Sequence, residues 1–465
     1  MKHRKNTTST PPRHTQIQQA IELLNIVLTQ GGRPADKHME AYFRQHRNMG
    51  VRDRGFVAET VYGCLRRRRF LEYLAQDTSS EALIMAYLLA TQGWSARALT
   101  EAGFSVDTDA DEGASATEGR IPGAANAQGS ASAAGGRTPG AADALATRVR
   151  TLDKSSLPLE VRTDLPDWLL ERLLAHLGES ETIALADALN QPATLDLRVN
   201  TLKADRDTVA RRLAEEGFPA EPTLYSPTGL RRNERTPLFN SASFKEGLFE
   251  IQDEGSQLLS LLLEPRRREM VVDFCAGAGG KTLHLAALMA NTGTLYAFDT
   301  SPKRLEGMKP RLIRAGLDTV RMITIAHERD VRVQRLHGKI DRVLVDAPCS
   351  GTGTLRRNPD IKWREINLAE IIATQQRILA AAAKLLKPGG RLVYATCSLL
   401  TEENEDVVSD FLAQNPDFHA LPVQDILARR QIHIDNSSGM DGALRLYPHR
   451  HGTDGFYAAV LERVK

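Results

Sequence analysis

From Val271 onward, short apolar runs alternate with helical stretches, and this constrains the fold more than any other feature of the chain. Val271–Phe274, Leu295–Asp299, Met322–Ala326, Val343–Asp346 and Leu392–Ala395 read as buried strands. Thr282–Met289 and Thr374–Leu386 are helical stretches among them. Strand, turn and helix repeated in this way predict a mostly parallel sheet with helices on both faces. Two of the strands open into cysteine-bearing loops, Asp346-Ala347-Pro348-Cys349-Ser350-Gly351 and Tyr394-Ala395-Thr396-Cys397-Ser398. Open α/β sheets place their chemistry at such strand ends. The chain has only four cysteines, so two at strand ends is a concentration.

At 465 residues the chain has room for two or three domains. No stretch of about 18 apolar residues exists, so no membrane span is expected. The start, Met1-Lys2-His3-Arg4-Lys5, lacks the apolar segment of a secretory signal. Cys64, Cys275, Cys349 and Cys397 show no CxxC spacing, so no metal is expected. Few, scattered thiols fit a reducing cytoplasm. The formal net charge is only +2, yet the positive charge is clustered: Arg66–Arg69, Arg266–Arg268, Lys303-Arg304 with Lys309 and Arg311, and Arg356-Arg357. Single runs of this kind are usually solvated faces, but several on one chain raise the odds of a polyanion partner.

The segment Asp273-Phe274-Cys275-Ala276-Gly277-Ala278-Gly279-Gly280-Lys281-Thr282 lies between the first strand and the first helix. Glycines there let the backbone turn sharply and approach a ligand. A Walker A loop needs a glycine five residues before the Gly-Lys pair; Cys275 occupies that place. A dinucleotide fingerprint needs a third glycine at position 282, which is threonine. The next strand ends in Asp299, where an acid meets ribose hydroxyls. The combination predicts a class I S-adenosylmethionine site.

The glycine loop, the Asp-Ala-Pro-Cys-Ser-Gly segment and the Thr-Cys-Ser segment together resemble the NOL/NOP/Sun family of RNA cytosine-5 methyltransferases. The resemblance implies a Rossmann-like methyltransferase domain. In it, backbone from Cys275, Ala276, Gly277, Ala278, Gly279, Gly280 and Lys281 holds the methionine part of S-adenosylmethionine. Asp299 binds the ribose. Asp330, in Asp330-Val331-Arg332, approaches the adenine, with Glu328 as its rival. Gly277-Ala278 stands where the family usually has Ala-Pro, which leaves the loop less rigid.

The resemblance also assigns the thiols. Carbon 5 of cytosine is a poor nucleophile; thiolate attack at carbon 6 makes it enamine-like, so covalent catalysis splits a hard step. The family uses the Thr-Cys cysteine for attack and the Pro-Cys cysteine for product release. Cys397 is therefore the expected nucleophile and Cys349 the release residue. Asp346 is expected on the cytosine edge, offsetting charge that develops on attack. Cys64 and Cys275 are read as structural thiols. Arg356, Arg357 and Lys362 are expected to grip RNA phosphates, with Trp363 stacking on a base or packing its loop.

Five segments follow. Residues 1–13 form a disordered basic tail. Residues 14–104 form a helical domain whose Arg52–Phe56 and Tyr62–Arg66 segments resemble a NusB-like module. Residues 105–148, poor in large apolar residues, read as a linker. Residues 149–245 form a small α/β subdomain, similar to an RNA-recognition fold, with Leu197–Lys203 as an alternating strand. Residues 246–465 form the methyltransferase domain. The NusB-like start and the Leu197–Lys203 segment favour the bacterial type that methylates 16S ribosomal RNA, acting as a monomer. Transfer RNA methylation, a non-catalytic RNA-binding ribosome assembly factor, and DNA cytosine methylation remain competing readings.

Overall fold

The computed structural model describes residues 14–30, 32–102, 104, 141–232, 238–435 and 442–464. The expected tail and residues 105–140 of the expected linker lie outside them. The chain divides into two compact units, Met1–Leu165 and Pro166–Lys465.

The first unit is helical. His14–Thr29, Ala35–Gln45, Val51–Arg66 and Ser80–Ala90 are its longer early helices. Their apolar faces supply a core of Ile17, Leu24, Val57, Val61, Ile84 and Leu88. Gly63 lets two helices touch: a Cβ there would lie 2.2 Å from the Tyr87 ring. A further helix runs from Ala141 to Thr151, so residues 141–148 do not belong to a linker. The alanine-rich run Ala141-Ala142-Asp143-Ala144-Leu145-Ala146 has high helix propensity, and Leu145 is buried. The unit closes beyond this helix: Asp164, fully buried, accepts from the Phe70 amide at 2.9 Å and pairs with Arg67. The helical unit therefore extends well past residue 104.

The second unit holds two sheets. The smaller is antiparallel, built from β1 (Leu195–Val199), β2 (Glu221–Pro222), β3 (Gly229–Arg232) and β4 (Phe249–Ile251) in the order β2-β3-β1-β4. Because β4 completes this sheet, the subdomain runs past residue 245. The strand expected over Leu197–Lys203 stops at Val199. There Asn200 turns back, its amide donating to Gly247 O and Ala315 O at 3.0 Å each. Side-chain bonding of this kind competes with the ladder and ends the strand.

The larger sheet contains β5 (Met270–Asp273), β6 (Thr294–Asp299), β7 (Val320–Thr324), β8 (Ile340–Asp346), β9 (Leu386–Thr396), β10 (Phe418–Leu421), β11 (Leu444–Leu446) and β12 (Phe456–Arg463). Its main order is β10-β12-β9-β8-β5-β6-β7, with β11 beside β12. The five strands β5 to β9 pair in parallel, and the β12 pairings are antiparallel. Val272, Val343, Leu344 and Val393 are fully buried at its centre. The order reverses at β5, which has β6 on one side and β8 on the other. A ligand crevice belongs at such a switch point. Among the described residues, no helix is long and apolar enough to cross a membrane.

Candidate functional site

The loop after β5 is pinned to both neighbouring strands. The Phe274 amide donates to Leu344 O and the Ala276 amide to Phe298 O, each at 2.8 Å. Gly277 and Gly279 take positive φ, +55° and +90°, and lead into the helix Gly280–Leu288. A Cβ at Gly279 would meet Met308 Cγ at 2.4 Å, whereas one at Gly277 would enter open space. The outer face of the loop is therefore unobstructed. From the small sheet, Arg198 donates to Gly280 O at 2.6 Å.

Carboxylates surround this loop. Asp299, at the end of β6, accepts from the Gly277 amide at 2.8 Å and the Ser301 amide at 2.7 Å. Asp273 is buried, with one oxygen taking the Thr282 hydroxyl at 2.6 Å and the other, among the described residues, without a partner. Burial pushes its carboxyl up to about 7, the Thr282 bond opposing and Asp346 adding. Lys281 reaches Asp346 at the end of β8, Nζ to Oδ2 2.6 Å. Burial lowers the Lys281 ammonium, but the Asp346 charge and hydrogen bond outweigh it and leave it raised. The one basic side chain within the loop is thus neutralised. An orphaned buried carboxyl oxygen, open loop backbone and strand-end acids fit a cationic ligand that carries hydroxyls.

The two expected adenine acids are both engaged. Asp330 caps the short helix Val331–Gln334 and accepts from the Ala326 and Arg332 amides at 2.9 Å each. The Arg332 guanidinium, followed by those amides, holds its carboxyl well below the usual carboxylate range. Glu328 lies 3.5 Å from Arg377.

The cysteines meet. Cys349 follows β8 and Cys397 follows β9, adjacent parallel strands, and their sulfurs are 3.3 Å apart. The Ala347 amide donates to Ala395 O and the Gly353 amide to Cys397 O, both at 2.8 Å, which zips one loop onto the other. The bond to Cys397, then burial, then nearby negative charge raise the Cys349 thiol well above its usual value. Cys349 also lines a cavity of about 390 Å³ with Pro348, Ile361, Arg364 and Asn367. A larger one, about 530 Å³, lies between the helix Glu405–Gln414 and the far strands, and no cysteine lines it. Cys64 is buried inside the helical unit. Burial raises the Cys275 thiol well above its usual value. Among the described residues no His/Cys/Asp/Glu cluster is suited to a metal.

The basic segment after the Pro-Cys loop departs from expectation. Arg356 pairs with Asp454 at 3.2 Å. Arg357 pairs with Asp253 at 2.9 Å and with Asp454, and donates to Thr194 O at 3.1 Å. Lys362 is 1% exposed and donates to Asn190 Oδ1 at 2.7 Å. These cations are held inward by carboxylates and amides, not offered to phosphate. Buried charge needs such partners, and Asp253 and Asp454 lie far away in the sequence. Glu403 is a site residue that sequence reading did not single out. It takes hydrogen bonds from both cysteine loops. Its signal was position: an acid in Thr401-Glu402-Glu403-Asn404, just beyond the Thr-Cys-Ser loop.

The family described as 16S rRNA methyltransferase RsmB/F matches residues 260–462, and the ferredoxin-like domain of RsmF/B-like methyltransferases matches residues 165–238. A probable ribosomal RNA small subunit methyltransferase B of Synechocystis is 36% identical over 318 residues, 67% of this chain and 70% of the relative. That of Bacillus subtilis is 33% identical over 313 residues, 66% and 68% of the two. This chain belongs to the RsmB/F family. Two solved structures agree. A methyltransferase homologue from Pyrococcus horikoshii superimposes with TM-score 0.57 at 32% identity, covering 67% of this chain and all of the other. NSun6 from the same organism, solved with SFG, gives 0.56 at 25% identity, covering 64% and 98%. The small antiparallel sheet is thus the RsmB/F ferredoxin-like domain. The large sheet is the Rossmann-like domain of an RNA methyltransferase that uses S-adenosylmethionine.

Proposed function

We propose that this chain methylates carbon 5 of a cytosine in 16S ribosomal RNA, with Cys397 attacking carbon 6 and Cys349 serving release. One observation carries the reading: two thiols 3.3 Å apart at neighbouring strand ends, beside the Lys281–Asp346 pair. When bound, S-adenosylmethionine supplies an electrophilic methyl group on its sulfonium. Cys275 to Lys281 and Asp299 would hold it, and Asp330 braces the loop after β7.

The Cys397 sulfur forms a bond to carbon 6 and pushes electron density to carbon 5. Asp346 faces the ring edge and offsets charge developing there. After methylation, carbon 5 carries both a methyl group and a proton. That proton must leave to a base, and the carbon 6–sulfur pair returns to Cys397. Cys349 adjoins that sulfur and serves as base or proton relay. The target base must leave its stack to enter the site. A second reading, with Cys349 as nucleophile, draws on the cavity that Cys349 lines.

The test is labelled methyl transfer to unmodified 16S ribosomal RNA, read by bisulfite protection, for wild type, Cys397→Ala and Cys349→Ala. One protected cytosine, abolished by Cys397→Ala, with a covalent RNA adduct accumulating in Cys349→Ala, supports the proposal. An adduct only in Cys397→Ala would exchange the two roles. Transfer into transfer RNA alone would move the substrate. Cofactor binding without any transfer would favour the assembly-factor reading.

A further inference from the structure

Glu403 is fully buried on the turn Thr401–Glu403, and among the described residues its carboxylate partners are all neutral. Oε1 accepts from the Ser350 amide at 2.8 Å and from Gln375 at 3.0 Å. Oε2 accepts from the Ser350 and Ser398 hydroxyls. Ser350 directly follows Cys349, and Ser398 directly follows Cys397. The same residue's carbonyl takes the Tyr394 hydroxyl at 2.7 Å, on the strand that leads to Cys397. Gln375 also donates to Pro348 O at 3.0 Å.

A carboxylate in a dry interior is costly unless hydrogen bonds replace its water. Here donors from both cysteine loops do so, and one carboxylate thereby spans them. We propose that Glu403 is a positioning residue that clamps the Pro348–Ser350 loop to the Thr396–Ser398 loop and fixes the sulfur–sulfur contact. The proposal rests on the roles given to the two cysteines above. The charge has a second effect, because Glu403 adds to the forces that keep the Cys349 proton in place. Other titratable or charged groups facing Cys349 are Cys397, Tyr394 and, across the cavity, Arg364, Glu365 and Glu370; Lys281, itself paired with Asp346, stands beside Cys397.

Glu403→Gln keeps the shape and removes the charge. Its amide can still be satisfied, because the serine hydroxyls can turn from donating to accepting. With folding and S-adenosylmethionine affinity unchanged, kcat should fall roughly 10- to 100-fold, the scale of small misplacements at a reacting centre. The alkylation rate of Cys349 by iodoacetamide, followed by mass spectrometry against pH, should shift to lower pH. Ser398→Ala removes one arm of the clamp and keeps the charge, so it should lower kcat and leave the alkylation profile in place. A folded Glu403→Gln with wild-type kcat and wild-type profile would overturn the proposal. If that variant does not fold, Ser398→Ala decides: wild-type kcat there would overturn it equally. The alkylation readout needs no RNA. A wild-type protein that modifies no RNA, yet shows the shifted profile in Glu403→Gln, would sink the proposed reaction and leave the link from Glu403 to Cys349 standing.

Discussion

Lys281 Nζ lies 2.6 Å from Asp346 Oδ2, an ion pair that joins the cofactor loop to the loop of the first cysteine. Each partner is more than two-thirds buried, so removing one leaves the other charge poorly compensated. Lys281→Met should cost about 1–3 kcal/mol of stability and weaken S-adenosylmethionine binding. Asp346→Asn should bind the cofactor better than Lys281→Met does, yet lose more than about tenfold in kcat, because the developing charge goes uncompensated. Urea denaturation, titration calorimetry and methyl transfer separate these effects.

Gly279 and Gly277 make a matched pair of tests. Both take positive φ, but only at Gly279 would a Cβ collide, with Met308 at 2.4 Å. Gly279→Ala should cost about 2–4 kcal/mol, joining backbone strain to overpacking. Gly277→Ala should cost about 1 kcal/mol from strain alone. The ranking should hold in urea midpoints, and cofactor affinity should fall further for Gly279→Ala.

Arg357 separates a structural cation from an RNA-binding one. It is held between Asp253 and Asp454, whose charges outweigh burial and raise its guanidinium further. Arg357→Met should destabilise the protein by about 3 kcal/mol, since Asp253 loses its cation while Asp454 keeps only Arg356. A phosphate contact would instead show as a smaller salt dependence of RNA binding, by about one unit of slope. The expected result is a lower Tm with an unchanged salt slope for the folded fraction.

That residue also marks where sequence reading ran short. The strand runs, the glycine loop and both cysteines were legible because each is local: β-branched runs bury, glycines turn, and a strand end exposes the next residue. The cysteine contact adds only one fact, that β8 and β9 are neighbours. Arg356 and Arg357 read as exposed because adjacent arginines in a polar segment usually are. Their partner Asp454 stands about a hundred residues away, and a long-range pair leaves no trace in spacing. Glu403 went unnoticed for a related reason, since its donors Ser350 and Gln375 come from other elements. Asn200 ended a strand that alternation alone would continue, because its acceptors Gly247 and Ala315 are distant as well.

Asp273 makes stability depend on pH. Its carboxyl is pushed up to about 7 by burial, against an ordinary value of 3.8. The folded state therefore holds this proton more tightly than the unfolded chain does. Its contribution is fully present below the unfolded value and is lost as pH rises through about 7. Unfolding free energy should decline between pH 5 and pH 8 by an amount on the order of a few kcal/mol. Asp273→Asn removes one titrating group while its amide can still take the Thr282 hydroxyl bond. The slope should be visibly flatter in the variant, which should be no less stable than wild type at pH 8. Urea unfolding at pH 5, 6, 7 and 8 reads this directly. Parallel curves for the two proteins would mean that Asp273 stays ionised in its buried site and that an unseen partner compensates it.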